Sequence, residues 1–366
     1  MKQEKPKQRR VESVDNLRVV AALTVLFGHA VHALQETRAF ADVELSHYRQ
    51  GLGPLIFLAI AGFVAAHSAH HEFGLPLAGS RYLSKRLLRV VPLYWLYTAL
   101  FLLVAVAAPA VLDHGGLAPG HVLGSFTFWP VPRPGDGKLR PLLNSGWALN
   151  YIVWFHVWFA VCLGLGRRLG IACCIVGLVV VELLPSGPGI GSWSFFASRK
   201  FYLIGLGLLC ALVHRALRDR ISLPTAAAFP FVGGLCWLAW LVSESDADWK
   251  MAACAIAIVL VGAFARGLQE GSIVASLWSK MARASYSIYL SQAFTLSAFT
   301  ILADRSGILA HLPFALALLL LTVWSLVWGV VGHRLLEAPL HKWVVAWWGR
   351  AAPTAESQSG RKQSNA

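Results

Sequence analysis

Apolar runs of helix length recur from one end of the chain to the other, separated by short polar or basic segments. They fall at roughly 17–34, 52–70, 88–112, 147–166, 169–185, 199–214, 226–243, 251–268, 285–303 and 310–335. Most approach the ~20 residues that a helix needs to cross a ~30 Å hydrocarbon layer. The pattern predicts an all-α fold, a polytopic membrane helical bundle of about ten transmembrane helices. The last run is long enough to tilt or to continue past the membrane. Residues 113–146 break the pattern. They are rich in Pro and Gly (HGGLAPG, WPVPRPGDGK) and too polar to span, which predicts an outer loop or re-entrant cap. A connection of that length is commonly functional. Residues 1–12 read as a disordered basic tail, 13–348 as the membrane domain and 349–366 as a flexible tail.

Composition agrees with the pattern. The 366 residues are 57% hydrophobic and only 14% charged, where a soluble domain carries about a quarter charged. The first run follows a long basic tail and reads as a retained span, not a cleaved leader. A net charge of +14 invites a nucleic-acid partner, but the basic residues flank the apolar runs and form no groove-sized patch. With the amino terminus in the cytoplasm, about 23 of the 32 Lys and Arg fall on the inner side and about 9 outside. Both termini are therefore expected inside. The six cysteines lie within apolar runs without CxxC or zinc-type spacing, as helix-packing residues do.

Chemistry concentrates in SVDNLRVVAALTVLFGHAVH, residues 13–32. Arg18 and His29 are eleven residues apart, which brings them within about 20° of one helix face and about 16 Å apart along the axis. With Arg18 at the inner surface, His29 lies near mid-membrane, where an ionisable group is costly and is a functional hypothesis by default. A second cluster, SKRLLRVVPLYW (84–95), places Arg86 and Arg89 three apart at the inner end of a span, with Pro92 one turn further in. Guanidinium forks match phosphate oxygens. Three guanidiniums below a buried imidazole suit a ligand with phosphates at one end and a reactive group ~15–20 Å away. Acyl-coenzyme A has that shape. HSAHH (67–71) looks like a metal tract but lacks acidic or Cys companions, so no metal is expected.

The ordered set DNLRVVAALTVLFGHA (15–30), FLAIAGFV (57–64), RLLRVVPLYW (86–95), NSGWALNY (144–151), ASYSIYL (284–290) and RLLEAPL (334–340) resembles the acyltransferase-3 family of integral-membrane acyltransferases, in particular its exopolysaccharide-modifying branch. The resemblance implies a bacterial inner-membrane enzyme that moves an acyl group, often acetyl, from coenzyme A to a sugar hydroxyl. It implies His29 as the catalytic histidine, and Arg18, Arg86 and Arg89 in donor binding or site structure. A lipid-linked exopolysaccharide repeat is the expected acceptor. Acetyl-CoA or another acyl-CoA is the expected co-substrate.

The chain departs from the family pattern at three places. Ser-Gly-Phe reads Ala61-Gly62-Phe63, the usual Glu after the Trp-Thr-Leu stretch is Ile152, and the usual His after SYSxYL is Gln292. An acidic partner for His29 is thus absent from its expected place. Trp147, Asn150, Tyr151 and His156 are candidates for substrate contact, with Glu182 and His32 as further polar groups in or near spans. The expectation is a transferase in which His29 acts as general base or as acyl carrier. Two other classes compete: a weakened family member acting as scaffold, and a carrier or flippase for a lipid-linked saccharide. The absence of an internal repeat disfavours the carrier.

Overall fold

The computed structural model describes residues 12–43, 51–109, 116–185, 191–197, 200–241, 248–265 and 272–351. Most of the two expected tails, 1–11 and 352–366, lies outside the described residues, as do residues 242–247 and the beginning of the 113–146 loop. The described chain is helical, its only bridges being the isolated pairs Pro132–Leu139 and Leu223–Ala265. In order come α1 (Glu12–Gln35), α2 (Leu52–Ser68), α3 (Ala78–Ala107), α4 (Pro119–Thr127), α5 (Trp147–Leu163), α6 (Arg167–Leu183) and α7 (Trp193–Phe196). Then follow α8 (Phe201–Leu217), α9 (Thr225–Leu241), α10 (Asp248–Phe264), α11 (Ile273–Arg305), α12 (Phe314–Gly332) and α13 (Ala338–Ala351).

Ten of these helices coincide with the ten expected runs. Four segments are long and apolar enough to cross a membrane by length and composition: Asp15–Gln35, Ala78–Ala107, Asn144–Leu163 and Phe314–Arg350. Helices α2, α6, α8, α9 and α10 have 17 residues each, about 26 Å at 1.5 Å per residue, slightly short of the hydrocarbon thickness. Helix α11 has 33 residues, yet its first three turns carry Lys280 and Arg283 and its composition is too polar. The last expected span does continue: after α12 a wide π-type turn, His333–Glu337, leads straight into α13.

The bundle is packed about α1 and α2. Helix α1 buries Leu17, Ala21, Ala22, Leu26, Ala30 and Leu34 between α2, α10, α11 and α12. Helices α2 and α8 meet at backbone distance. A Cβ on Gly62 would lie 2.0 Å from the Ile204 carbonyl oxygen, and one on Gly207 the same distance from that of Ala59. This is the small-residue contact through which membrane helices associate. It accounts for FLAIAGFV, whose Ala61-Gly62 serves packing. Helix α3 lies against α5 and α13, and α6 against α5 and α8. Outward faces stay apolar: Val176, Val179 and Leu183 of α6 and Leu319, Val323 and Val327 of α12 are exposed. In water such faces would be a liability; in a bilayer they are the lipid contact.

The connection between α3 and α5 is described over 116–146. Trp95 Nε1 donates to the Phe126 carbonyl at 2.8 Å, and Trp154 Nε1 to that of Phe128 at 3.0 Å, tying α4 to α3 and α5. A tight turn follows, closed by Arg133 N–H to the Lys138 carbonyl (2.9 Å), with Gly135 and Gly137 at positive φ. Arg133 also binds the Asp136 carboxylate bidentately and holds that carboxyl well below the usual range.

Candidate functional site

His29 faces a cavity of about 480 Å³ at the end of the bundle where α1 finishes and α2 and α5 begin. Helix α1 contributes Thr24, Val25, Gly28, His29 and His32 to its wall, one face of the helix repeated at three- and four-residue spacing. The loop before α5 contributes Leu139, Arg140, Asn144 and Ser145; α5 contributes Trp147 and Tyr151; α7 and its exit contribute Ser194, Phe195 and Lys200. No carboxylate lines this cavity among the described residues.

Its side chains are held from behind. Arg140 donates to Asn144 Oδ1 (3.2 Å), and its carbonyl accepts from His121 Nε2 of α4 at 2.8 Å. Ser125 Oγ accepts from Leu142 N–H, also at 2.8 Å. So α4 fixes the strand of chain that delivers Arg140. Tyr151 donates to the Phe195 carbonyl and stacks on the Phe195 ring with centroids 4.5 Å apart. Lys200 lies over the Trp147 ring at 5.8 Å, within reach of a cation–π attraction. His32, at the exposed rim, pairs with Glu36 at 3.2 Å.

Of the sequence candidates, this cavity gathers His29, Trp147, Tyr151 and His32. It does not gather the other six, Arg18, Arg86, Arg89, Asn150, His156 and Glu182. Asn150 is buried one turn below Trp147 with its Oδ1 lacking a partner, as does Ser145 Oγ. His156 Nδ1 is hydrogen-bonded to the Tyr82 hydroxyl (2.8 Å), deep among α3 and α5. Arg86 lies over that same tyrosine at 5.1 Å and donates to Ser68 Oγ (2.6 Å) and the Val64 carbonyl (3.3 Å), locking α3 to the inner end of α2. Arg18 pairs with Asp15 at 3.1 Å. Ile152 packs into the core, Gln292 donates back to the Tyr289 carbonyl (2.8 Å), and Glu182 accepts from Tyr202 N–H (3.0 Å) in the first turn of α8.

Arg89 enters a different cavity, about 340 Å³, at the opposite end of the bundle. Arg283, His333, His341 and Lys342 share it, with Glu337. The π-type turn lets Glu337 Oε2 accept from both His333 Nδ1 (2.8 Å) and Ser287 Oγ (2.7 Å). Pro92 borders this cavity and withholds an N–H from the Leu88 carbonyl, another lining residue. Sequence reasoning missed Arg140, Lys200, Arg283, His341 and Lys342. The first two sit in segments that the positive-inside expectation puts outside, where few cations are expected, the one signal that marked them. Among the described residues no three His, Cys, Asp or Glu side chains converge as metal ligands.

An apolar-faced helical bundle with a half-buried imidazole in a polar cavity has the build of an integral-membrane protein, and comparison supplies the class. The acyltransferase-3 family model, described as an acyltransferase domain, matches residues 11–334, so the chain belongs to that family. It is also 27% identical over 299 residues to the exopolysaccharide production protein ExoZ of Rhizobium meliloti (strain 1021), covering 78% of this chain and 87% of that protein. No solved structure matches it.

Proposed function

We propose that this chain transfers an acyl group, acetyl being the expected one, from acyl-CoA to a hydroxyl of an exopolysaccharide precursor, with His29 as general base. The observation that carries the reading is the pairing of a half-buried imidazole in an outer cavity with a cationic cavity at the inner end. The donor's phosphates dock at the inner end, where Arg89, Arg283 and Lys342 supply charge-assisted hydrogen bonds. Arg86 and Arg18 support the site from their pairs with α2 and Asp15. The pantetheine arm, with its two amides, runs past the buried Ser145 Oγ and Asn150 Oδ1, polar atoms that burial without partners makes costly.

At His29 the neutral imidazole takes the proton of the acceptor hydroxyl as its oxygen attacks the thioester carbonyl. The carbon–sulfur bond breaks, the thiolate takes the proton back from the imidazolium, and ester and free CoA leave. Trp147 and Tyr151 form the acceptor's wall. The topology that fits is ten crossings of a bacterial inner membrane with both ends cytoplasmic.

Incubating purified protein with radiolabelled acetyl-CoA and a saccharide acceptor tests this. His29→Gln is expected to lower transfer by about 10³-fold while leaving CoA affinity within about twofold. A variant with wild-type rate removes His29 from the chemistry.

A further inference from the structure

Among the described residues, four side-chain hydroxyls line the His29 cavity, those of Thr24, Ser145, Tyr151 and Ser194. Three of them already donate to the chain's own backbone. Thr24 Oγ1 bonds the Val20 carbonyl at 2.6 Å, Ser194 Oγ that of Gly191 at 2.8 Å, and the Tyr151 hydroxyl that of Phe195. Ser145 is the exception. It is 6% exposed, and its Oγ is buried without a hydrogen-bond partner. A hydroxyl removed from water and left unpaired is a standing cost to the fold. A group that forms only during the reaction would meet that cost.

The turn that carries Ser145 is held by residues that do not line the cavity. Residues Asn144–Gly146 form one 3₁₀ turn that runs straight into α5, closed by Gly146 N–H to the Leu143 carbonyl at 2.8 Å. Tyr289 of α11 donates to the Ser145 carbonyl. A Cβ on Gly146 would lie 2.6 Å from the Tyr94 ring of α3, so glycine lets the turn rest against that ring. With its backbone pinned by α3 and α11, the Ser145 hydroxyl can rotate but not withdraw. It also stands one residue before Gly146, the N-cap of the 17-residue α5, and the N-terminal end of such a helix favours negative charge.

Resting on the function proposed above, we infer that Ser145 donates the hydrogen bond that stabilises the oxyanion formed on the acyl carbonyl. As the acceptor oxygen bonds to the carbonyl carbon and its proton passes to His29, the C=O π electrons move onto the carbonyl oxygen. That oxygen then carries a full negative charge and accepts from Ser145 Oγ–H, with the N-terminal end of α5 behind it. When the intermediate collapses, the electrons return, the carbon–sulfur bond breaks and the thiolate takes the proton from the imidazolium. Ser145 keeps its own proton throughout. The other role open to it, a nucleophilic serine, calls for a base hydrogen-bonded to the hydroxyl, and Ser145 Oγ has no such bond. A donor of this kind is worth most where water is excluded, and the burial of its oxygen meets that condition.

The test uses the full chain in nanodiscs with acetyl-CoA and a saccharide acceptor. Ser145→Ala is expected to lower kcat about 10²-fold while both KM values stay within about twofold. Ser145→Thr, which keeps the hydroxyl, is expected to recover most of that loss. A kcat for Ser145→Ala within about twofold of wild type, or a loss confined to KM, overturns the inference. An acetyl ester trapped on the Ser145 peptide makes the residue a nucleophile and overturns it too. Two CoA thioethers supply a readout independent of turnover. Acetonyl-CoA keeps a trigonal ketone, whereas trifluoroacetonyl-CoA hydrates to a tetrahedral gem-diol that mimics the intermediate. Wild type is expected to bind the trifluoro compound at least about tenfold tighter, and Ser145→Ala to lose that preference while binding acetonyl-CoA as before. Equal affinity of wild type for the two, binding of neither, or a preference kept by Ser145→Ala overturns the inference. Wild type that shows the preference but acylates no saccharide refutes the sugar acceptor of the function proposed above and leaves the role of Ser145 standing.

Discussion

The two polar cavities sit at opposite ends of one bundle and are both cationic, yet they are built differently. The one around Arg89 has a carboxylate: Glu337 holds His333 and Ser287 by short hydrogen bonds in a turn of π geometry. The one around His29 has Arg140 and Lys200 in its described lining, with Trp147, Tyr151 and Asn144 beside them. A site with its own counter-charge is rigid before a ligand arrives. The His29 cavity instead presents aromatic and amide groups beside its cations. On the proposed function, the Arg89 cavity takes the polyanionic donor and the His29 cavity the acceptor hydroxyl.

The comparison is sharpest when one end is changed at a time, and a contact common to both ends supplies the control. Gly62→Val drives a side chain into the Ile204 carbonyl. It is expected to cost at least the upper part of the ~1–3 kcal/mol typical of overpacking, so little folded protein survives detergent extraction. Any residual activity should fall without preference for donor or acceptor, as size-exclusion yield and both KM values would report. Arg89→Ala combined with Arg283→Ala should raise KM for acyl-CoA by about 100-fold and leave acceptor KM in place. A change confined to the acceptor would exchange the two assignments. Arg140→Gln reverses the pattern at lower amplitude, about tenfold in acceptor KM with donor KM unmoved.

The smallest effect belongs to the turn that carries Arg140. Asp136 is held low by Arg133, so its charge pair is complete above the ordinary carboxylate range and is lost only as pH falls through its depressed value. Acceptor KM should therefore show no inflection from this group between pH 5 and 8 (a window chosen about neutrality). Asp136→Asn should give a slight rise at every pH, read from a KM–pH series. An inflection near neutrality would place another group in charge of the turn.

Much of this arrangement was legible in the sequence, and the misses have physical causes. Apolar runs report hydrocarbon, not hydrogen bonding. Their positions therefore matched the helices, while α3 began at Ala78 and α11 at Ile273, a basic turn or more before the apolar residues start. Helical spacing on α1 brought His29 and His32 to one cavity, because a period read along a single helix needs no knowledge of its neighbours. Arg86 and Arg89 show the opposite case. Three residues apart, they differ by about 60° around the axis, and that angle was enough to turn one toward α2 and the other toward α11 and α13. Arg140 reached the His29 cavity through a cap whose path depends on Trp95, Trp154 and His121, contacts between segments that no local pattern encodes.

The most direct measurement places the two substrates on opposite sides of a membrane. Proteoliposomes with the carboxyl-terminal end facing out, sorted by a protease-accessible tag, receive radiolabelled acetyl-CoA outside and acceptor only in the lumen. Donor gripped at Arg89 and acceptor seated at His29 from the other end should give labelled acceptor inside the vesicles. Transfer only when both substrates share one side would contradict the two-ended arrangement.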